Sequence, residues 1–289
     1  MSNAKEIRGQ IKSIKNTQQI TKAMETVAAS KMRRARENME SGKPYADNIL
    51  RVIGHLSQAS NETTHPFFVK REQVKKVGYI VISSDRGLCG GLNINVFKKL
   101  LADFKVKKSQ DKEIVASVFG RKGTMFLNRV GTTILSADED YGDNPSLDEL
   151  IGGIHTMIDA FKLGDVDEVH LVGNRFVNSM TQEPYIMQLL PATLVKNDHA
   201  VPDYTWDFVY EPSAYEILEH LAIRYVESLV RQAVAENIAC EMSARMIAMK
   251  NATDNAGDLI GELQLKYNKA RQAAITQELS EIVAGADAV

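Results

Sequence analysis

Proline and aromatic residues are scarce at both ends of this 289-residue sequence. All seven prolines lie between residues 44 and 212, and the first 43 residues contain no aromatic side chain. Because proline interrupts helix interiors, its absence from the first 43 and the last 77 residues permits very long helices. The composition therefore divides the chain into a helical arm, a mixed central region and a second helical arm.

Other shortages exclude several protein classes. The two cysteines, Cys89 and Cys240, are too few for a disulfide scaffold and fit a reducing compartment. The net charge of −2 argues against a protein that coats nucleic acid through its overall charge. No apolar run approaches the roughly 18 residues of a membrane span, and the first residues lack the apolar core of a signal peptide. We therefore expect a soluble cytoplasmic protein of about two domains.

The N-terminal arm has the apolar spacing of a coiled coil. Asn3 and Glu6 have the spacing of a helix capping box. A seam then recurs at steps of three and four residues: Ile7, Ile11, Ile14, Gln18, Thr21, Met24, Ala28, Met32, Ala35 and Met39. Gly42 and Pro44 weaken the pattern, but it can continue beyond them. We predict a coiled-coil helix over residues 1–62.

The C-terminal arm, residues 211–289, has the matching pattern. Ser213 and Glu216 form a second capping box directly after Pro212. A stripe of three–four spacing follows: Met246, Met249, Thr253, Ala256, Ile260, Leu263, Tyr267, Ala270 and Ala274. A helix from about 213 to 284 would be roughly 108 Å long. We predict that the two arms pair as a long antiparallel coiled coil.

The end of the second arm is predicted to lack a partner within the chain. The first arm is shorter, so the residues after about 268 would project by roughly 25–30 Å. This end has no lysine or arginine after Arg271. Its apolar side chains are Ile275, Leu279, Ile282 and Val283. A single helix that exposes them in water is unstable, so we expect a partner surface to cover them.

The central region, residues 70–210, alternates between strand and helix patterns. Strands are predicted at 77–83, 113–119, 132–135 and 168–172, and helices at 92–104, 121–130 and 146–161. Segments near 186–190 and 206–210 are candidates for late strands, and residues 192–205 are predicted to be a loop. The alternation predicts a mostly parallel sheet with helices on both faces. The fold class is therefore α/β: a Rossmann-like domain plus the long antiparallel coiled coil.

Two features could carry small-molecule chemistry, but the spacing favours structural roles. Residues 87–91 form a glycine-rich strand-to-helix turn, yet the spacing differs from G-x-G-x-x-G, and Cys89 within it has no histidine nearby in sequence. Asp138, Asp140 and Glu149 mimic calcium-loop positions, but Asp143 stands where that loop needs glycine. The sequence contains no phosphate-binding loop. We predict no catalytic, cofactor or metal site.

The strongest charge feature is basic and lies in the first arm. Residues 1–36 carry nine basic and two acidic side chains, with a dense run at residues 31–36. A solvated helix face would explain it, and nucleic-acid binding is an alternative, although the arm has no aromatic side chains for base stacking. An acidic protein partner fits better, because the cations lie beside an apolar seam.

Four segments then become specific for one family. Residues 20–32, 84–93, 248–256 and 267–279 resemble, in this order, the sequence signatures of the gamma subunits of bacterial F-type ATP synthases. The resemblance runs from end to end of the chain. It implies the central rotor shaft of that complex, in which proton-driven rotation of the c ring is coupled to ATP synthesis at the beta subunits, reversibly. Nucleotides would bind in the alpha–beta ring rather than on this chain.

The resemblance also implies partners and contact residues. The partners would be the alpha and beta subunits, the epsilon subunit and the c ring, at the cytoplasmic face of the bacterial inner membrane, with no nucleic acid and no membrane span. Residues that match the family's contact positions form three sets. Contacts to moving acidic loops of beta are Lys22, Met24, Lys31, Arg33, Arg34 and Arg36. Contacts to the upper ring are Arg271, Gln272, Thr276 and Glu278, while Arg245 and Met249 support the shaft. Ile282 is a further partner contact, expected because an apolar collar would cover the exposed helix end.

Two other expectations follow from the same resemblance. Residues 204–210, within the α/β domain, would face epsilon and the c ring. Chloroplast relatives carry an inserted pair of cysteines that acts as a redox switch, and this chain lacks the insertion, so thiol regulation is not expected.

Two alternatives from other classes make different predictions. A Rossmann-type enzyme with a helical dimerisation arm would bind a nucleotide cofactor in isolation. A coiled-coil nucleic-acid binder would show steep salt-dependent binding through the first arm. Co-purification with a hexameric ATPase is expected from neither.

Overall fold

The computed structural model describes residues 4–59, 66–192 and 214–286. The chain separates into two compact units. One unit, here called the helical unit, consists of residues 1–29 and 245–289, and the other, here called the sheet unit, consists of residues 30–244. The predicted cap at Asn3, the cap at Ser213 and the strand near 206–210 lie outside the described residues.

The sheet unit contains a five-stranded sheet. In chain order its strands are β1 (Lys76–Ile82), β2 (Glu113–Phe119), β3 (Thr133–Asp138), β4 (Glu168–Phe176) and β5 (Gln182–Leu190). Their spatial order is β3-β2-β1-β4-β5, with β5 antiparallel to β4 and every other pair parallel. The predicted mostly parallel sheet is therefore confirmed. The last strand is longer than predicted because the pairing with β4 begins at Gln182.

Three short helices connect the parallel strands. They are α2 (Leu92–Lys108), α3 (Arg121–Val130) and α4 (Leu147–Leu163). The capping box predicted before α4 is present: the backbone N–H of Ser146 donates to Glu149 at 2.7 Å. Gly120 begins α3 with φ +102°, and a Cβ atom there would lie 2.4 Å from the backbone oxygen of Ser83, so only glycine fits this turn.

Both faces of the sheet are covered. Along β1, Tyr79 points into the core beneath α2, whereas Ile80 points into the opposite core with α4 and the first part of the last helix. Coverage on both sides explains why β1 is a continuous apolar run rather than an alternating one. In the larger core, Val226, Val230 and Val234 of the last helix are completely buried.

The two long helices are α1 (Ala4–Ala59) and α5 (Ala214–Ala286). The first continues through Gly42 and Pro44, where the sequence pattern was weak. Within the sheet unit, Gly42 lets the two helices approach closely, because an added Cβ atom would lie 2.4 Å from Oε1 of Gln232. The amide of Gln232 donates to the backbone oxygen of Met39 at 3.0 Å.

The helical unit pairs the beginning of α1 with the end of α5. The seven seam positions predicted in this part of α1, from Ile7 to Ala28, are all buried or half-buried, and so are eight of the nine predicted in α5, from Met246 to Ala270; the ninth, Ala274, is exposed. Gln18 donates to the backbone oxygen of Thr253 at 3.3 Å, and the hydroxyls of Thr21 and Thr253 lie 2.8 Å apart. Gln18 is also the nearest side chain to Gly257, so the two helices run antiparallel, as predicted.

Candidate partner-contact surfaces

The basic run at residues 31–36 lies on α1 within the sheet unit. Lys31 forms an ion pair with Asp143, in the loop before α4. Arg33 contacts Glu37 at 3.4 Å and Arg36 contacts Glu40 at 2.8 Å, both one helical turn further on. Pairs of this kind on an exposed helix contribute little to stability. The side chain of Arg33 is 85% exposed, so its charge stays accessible to a partner.

Four predicted contact residues lie on the helical unit before its exposed end. Lys22 is exposed and pairs with Glu25 at 3.1 Å. Met249 is buried and Met24 is half-buried, both at positions of the helix–helix seam. Arg245 is half-buried and has interactions of its own. Packing within the chain therefore explains Met249, whereas Lys22 is available on the surface.

The end of α5 is exposed on every side within the helical unit. Residues 271–283 are all exposed, and Ala270 is the last half-buried position. The upper-ring contacts expected from the resemblance lie here, together with Ile282: Arg271, Gln272, Thr276 and Glu278. The four large apolar side chains of this end are 44–67% exposed. More than three turns of apolar helix thus lack cover from the helical unit, in agreement with the predicted unpaired end.

The glycine-rich turn at residues 87–91 uses its polar groups internally. Asn93 reaches back from α2, accepting from the backbone N–H of Ser84 at 3.2 Å and donating to its hydroxyl at 2.7 Å. The hydroxyl of Ser84 donates in turn to the backbone oxygen of Arg86 at 2.7 Å. These bonds hold the turn closed against α2, which supports its structural role.

The remaining chemical candidates do not converge on a site. Cys89 and Cys240 are both buried with reduced thiols, and burial raises the pKa of Cys240. In the acidic loop, Asp140 pairs with Arg121, Glu149 caps α4, and burial raises the pKa of Asp138. Across residues 4–59, 66–192 and 214–286, no three His, Cys, Asp or Glu side chains are grouped in a way that could hold a metal ion.

A cluster of titratable side chains beneath α2 was not predicted. Tyr79 donates to Asp103 and stacks on His170 with ring centroids 5.4 Å apart. Burial lowers the pKa of His170, and nearby Lys107 lowers it further. Burial would raise the pKa of Glu168, but Lys107 at 3.3 Å and His170 together outweigh that effect and lower it.

Only part of this cluster is visible in the sequence. Asp103 and Lys107 are four residues apart on one face of α2, and polar Tyr79 interrupts the apolar run of β1, but the position of His170 beside Tyr79 depends on the order of the strands. The cluster is closed beneath the helix and its members bond to one another, so it acts on stability rather than as a contact surface.

None of the helices in the described residues combines the length and the apolarity that crossing a bilayer requires.

Comparison with known proteins agrees with the geometry. A family model described as ATP synthase matches residues 3–289. The ATP synthase gamma chain of Dichelobacter nodosus is 61% identical over 289 residues, and that of Acinetobacter baylyi is 55% identical over 290 residues. In both cases all of this chain and all of the relative are covered. The chain belongs to the ATP synthase gamma chain family.

Solved structures show the same fold at lower identity. A chain of the Euglena gracilis mitochondrial ATP synthase (OSCP/F1/c-ring, rotational state 3) matches with TM-score 0.68 and 19% identity, covering 99% of this chain and 94% of that one. A chain from the rotor of the same enzyme matches with TM-score 0.63 and 21% identity, covering 94% and 98%. The α/β sheet flanked in sequence by two long helices is thus a fold shared with these chains.

Proposed function

We propose that this chain is the non-catalytic central shaft of a bacterial F-type ATP synthase. Rotation of the c ring, driven by protons, would turn the shaft, and the shaft would change the three beta sites in sequence. ATP hydrolysis would drive the same rotation backwards and pump protons. The chain would be a peripheral subunit on the cytoplasmic face of the inner membrane. The membership of the gamma chain family supports this role.

The exposed end of α5 is the observation that carries the proposal. Ile275, Leu279, Ile282 and Val283 are exposed along a helix end without lysine or arginine after Arg271. An apolar stripe of this length is covered in the working state of a protein, because its exposure to water is unfavourable. An apolar collar formed by the alpha–beta ring would cover it, and the absence of long cations would let it turn.

The basic residues supply a second kind of contact. Arg33, Arg34 and Arg36 present charge on a helix surface, where acidic loops of beta could meet it. Three identical sites can differ only if something touches each of them differently, and the size of the shift is limited by that difference in contact energy. One shaft with charges on particular faces provides such a difference. Lys22 and Lys31 belong to the same proposed set.

The predicted three-part division is retained as part of the proposal. Residues 1–62 and 211–289 would form the shaft, and residues 70–210 the domain that faces epsilon and the c ring. The contacts of residues 204–210 belong to that proposal as well.

The first experiment tests partner and chemistry together. The purified chain is mixed with an alpha–beta ring prepared without its own shaft, and the mixture is separated by size. We expect one chain per ring, and we expect calorimetry of the chain without the ring to show no stoichiometric ATP binding. Failure to bind the ring would contradict the shaft role, whereas stoichiometric ATP binding would contradict the non-catalytic assignment.

The second experiment tests the basic surface. Arg33→Glu, Arg34→Glu and Arg36→Glu are combined, and ATP-driven proton pumping is measured in inverted membrane vesicles. We expect pumping per ATP hydrolysed to fall several-fold while thermal unfolding changes little, because exposed charges add little stability. The control combines Lys70→Glu, Lys105→Glu and Lys108→Glu, which reverse three exposed cations elsewhere. Equal pumping by the two triple variants would argue against an acidic partner at the arginines.

A further inference from the structure

An open groove lies between α2 and α3 on the outer side of the sheet unit. Its volume is about 470 Å³, which lies within the range of ligand-binding clefts. Its floor contains Phe97 and Phe126, whose rings stack with centroids 4.2 Å apart and planes 3° from parallel. Ile94 and Met125 line the groove and are 56% and 53% exposed, although both belong to well-formed helices. The groove is therefore an exposed apolar surface.

The rim of this groove is cationic. Lys98, Lys122 and Arg129 line it, and none of its lining residues is acidic. Within the part of the chain that the structure describes, these three cations form no ion pair. Other cations of the same domain are paired, as Lys107 is with Glu168 and Arg121 with Glu139. Unpaired cations around an apolar floor are complementary to a partner that is both apolar and acidic.

The spacing of the lining residues matches a helix. On α2 the residues Ile94, Phe97 and Leu101 recur at steps of three and four. On α3 the same steps separate Lys122, Met125 and Arg129. Each ridge is therefore two turns long, or about 10 Å. Two such ridges on neighbouring helices offer positions for the side chains of a third helix at i, i+3, i+4 and i+7.

We propose that the α2–α3 groove docks an amphipathic helix of a partner protein, with apolar anchors that enter the groove and acidic side chains that meet its cationic rim. The groove residues differ from those proposed to contact the alpha–beta ring, and they lie within the domain that is proposed to face epsilon and the c ring. Exposed Met125 suits such a site, because the flexible thioether adapts to different anchors.

The test uses the full chain and two fluorescein-labelled helical peptides. One peptide has leucines at i, i+3, i+4 and i+7 with glutamates between them, and the other has lysines in place of the glutamates. Fluorescence anisotropy is expected to show the acidic peptide binding at least tenfold more tightly, with weaker binding at higher salt. Met125→Glu should weaken its binding at least tenfold, whereas Leu163→Glu, at another exposed leucine, should not.

Charge reversal at the rim provides a second variant that leaves the apolar floor intact. Combined Lys122→Glu and Arg129→Glu should weaken the acidic peptide several-fold more than combined Lys105→Glu and Lys108→Glu. Far-UV circular dichroism checks that each variant is folded. Equal binding of the two peptides, or equal effects of the groove and control variants, would overturn the proposal.

Two further results would assign the groove to another occupant. Binding of dodecanoate below its micelle concentration, sensitive to Met125→Glu, in a chain that does not bind the acidic peptide would assign the groove to a small anionic amphiphile. A dimer of the chain in sedimentation that Met125→Glu dissociates, again without binding of the peptide, would assign it to a second copy. Either result would overturn the partner-helix proposal.

Discussion

Two stretches of α5 have opposite environments although they belong to one continuous helix. In the sheet unit, Val226, Val230 and Val234 have no exposed surface. In the helical unit, Leu279 and Ile282 are 58% and 67% exposed, and no position from 271 to 283 is covered. Helix propensity stabilises a long helix only weakly, so packing provides most of its stability. The first stretch obtains that packing from its own chain, and the second requires a partner.

Polar side chains at the helix seam differ between the units as well. In the helical unit, Gln18, Thr21 and Thr253 form a polar layer between the two helices. A polar layer within an apolar seam costs some stability but fixes the register of the pair. In the sheet unit the close approach is set instead by Gly42 against Gln232. The helical unit therefore uses a layer of paired polar side chains, whereas in the sheet unit one glutamine bonds to the backbone of Met39 and packs against Gly42.

The largest expected effect is the difference in stability between a chain with aspartate in the buried stretch of α5 and one with aspartate in the exposed end. Val230→Asp should destabilise the chain by several kcal/mol or prevent folding, because it buries a carboxylate without a partner. Leu279→Asp should leave stability nearly unchanged, because that side chain already faces water. Urea unfolding followed by circular dichroism measures both. Similar losses in the two variants would mean that the end of α5 packs within its own chain.

Two glycines sharpen the same comparison at a smaller scale. Gly120→Ala should destabilise by about 3 kcal/mol or more, because it combines a positive φ with a clash against backbone. Gly261→Ala in the helical unit should stabilise its helix by about 0.5–1 kcal/mol, because no atom lies within 4 Å of the added methyl group. Thermal unfolding of the two variants should therefore shift in opposite directions. A shift in the same direction would contradict this difference.

The smallest expected effect is a pH dependence confined to the sheet unit. The pKa of His170 is lower in the folded chain than its ordinary value of 6.5, so the unfolded chain binds more protons as pH falls below about 6.5. The neutral ring of His170 therefore contributes fully to the free energy of unfolding above about pH 6.5. This contribution is lost as the pH falls through the pKa of the folded chain. Asp103, Lys107, Glu168 and Tyr79 face this ring.

His170→Gln checks this assignment. Unfolding temperature between pH 7.5 and 5.5 should fall less steeply in the variant than in the unchanged chain. Glu168 has a lowered pKa and titrates below this window, so it does not produce the same slope. Identical slopes with and without His170 would show that another group is responsible.

Much of the fold could be predicted from the spacing of apolar residues, which recur every two residues in strands and every three to four in helices. The bounds of β2 and α3 agree with the prediction, and the seam of the helical unit follows the predicted positions up to Ala270, whereas Ala274 is exposed. Helix ends were harder: α2 continues to Lys108, four residues beyond the predicted end, and three of those four residues are lysines, which carry no apolar periodicity. The passage of α1 through Pro44 was predicted in spite of a weak local pattern, because the seam spacing can continue beyond it.

The contact surfaces were predictable to different degrees. The exposed end of α5 followed from the length difference between the two arms, which is visible in the sequence. The groove of α2 and α3 did not, because residues such as Ile94 and Met125 fit the apolar face of their own helix equally well in sequence. Only the packing of two helices on one sheet shows that these side chains remain uncovered. The titratable cluster beneath α2 likewise depends on strand order, which no local pattern contains.

The most direct test of the account is removal of the exposed helix end. The chain is truncated from Gln277 onward, with Ile282→Asp in the full chain as a gentler variant, and each is studied by circular dichroism melting and by co-sedimentation with the alpha–beta ring. Because residues 271–283 are exposed, we predict an unchanged melting temperature for the isolated chain and weaker binding to the ring. A lower melting temperature with unchanged ring binding would contradict the claim that this end is built for a partner.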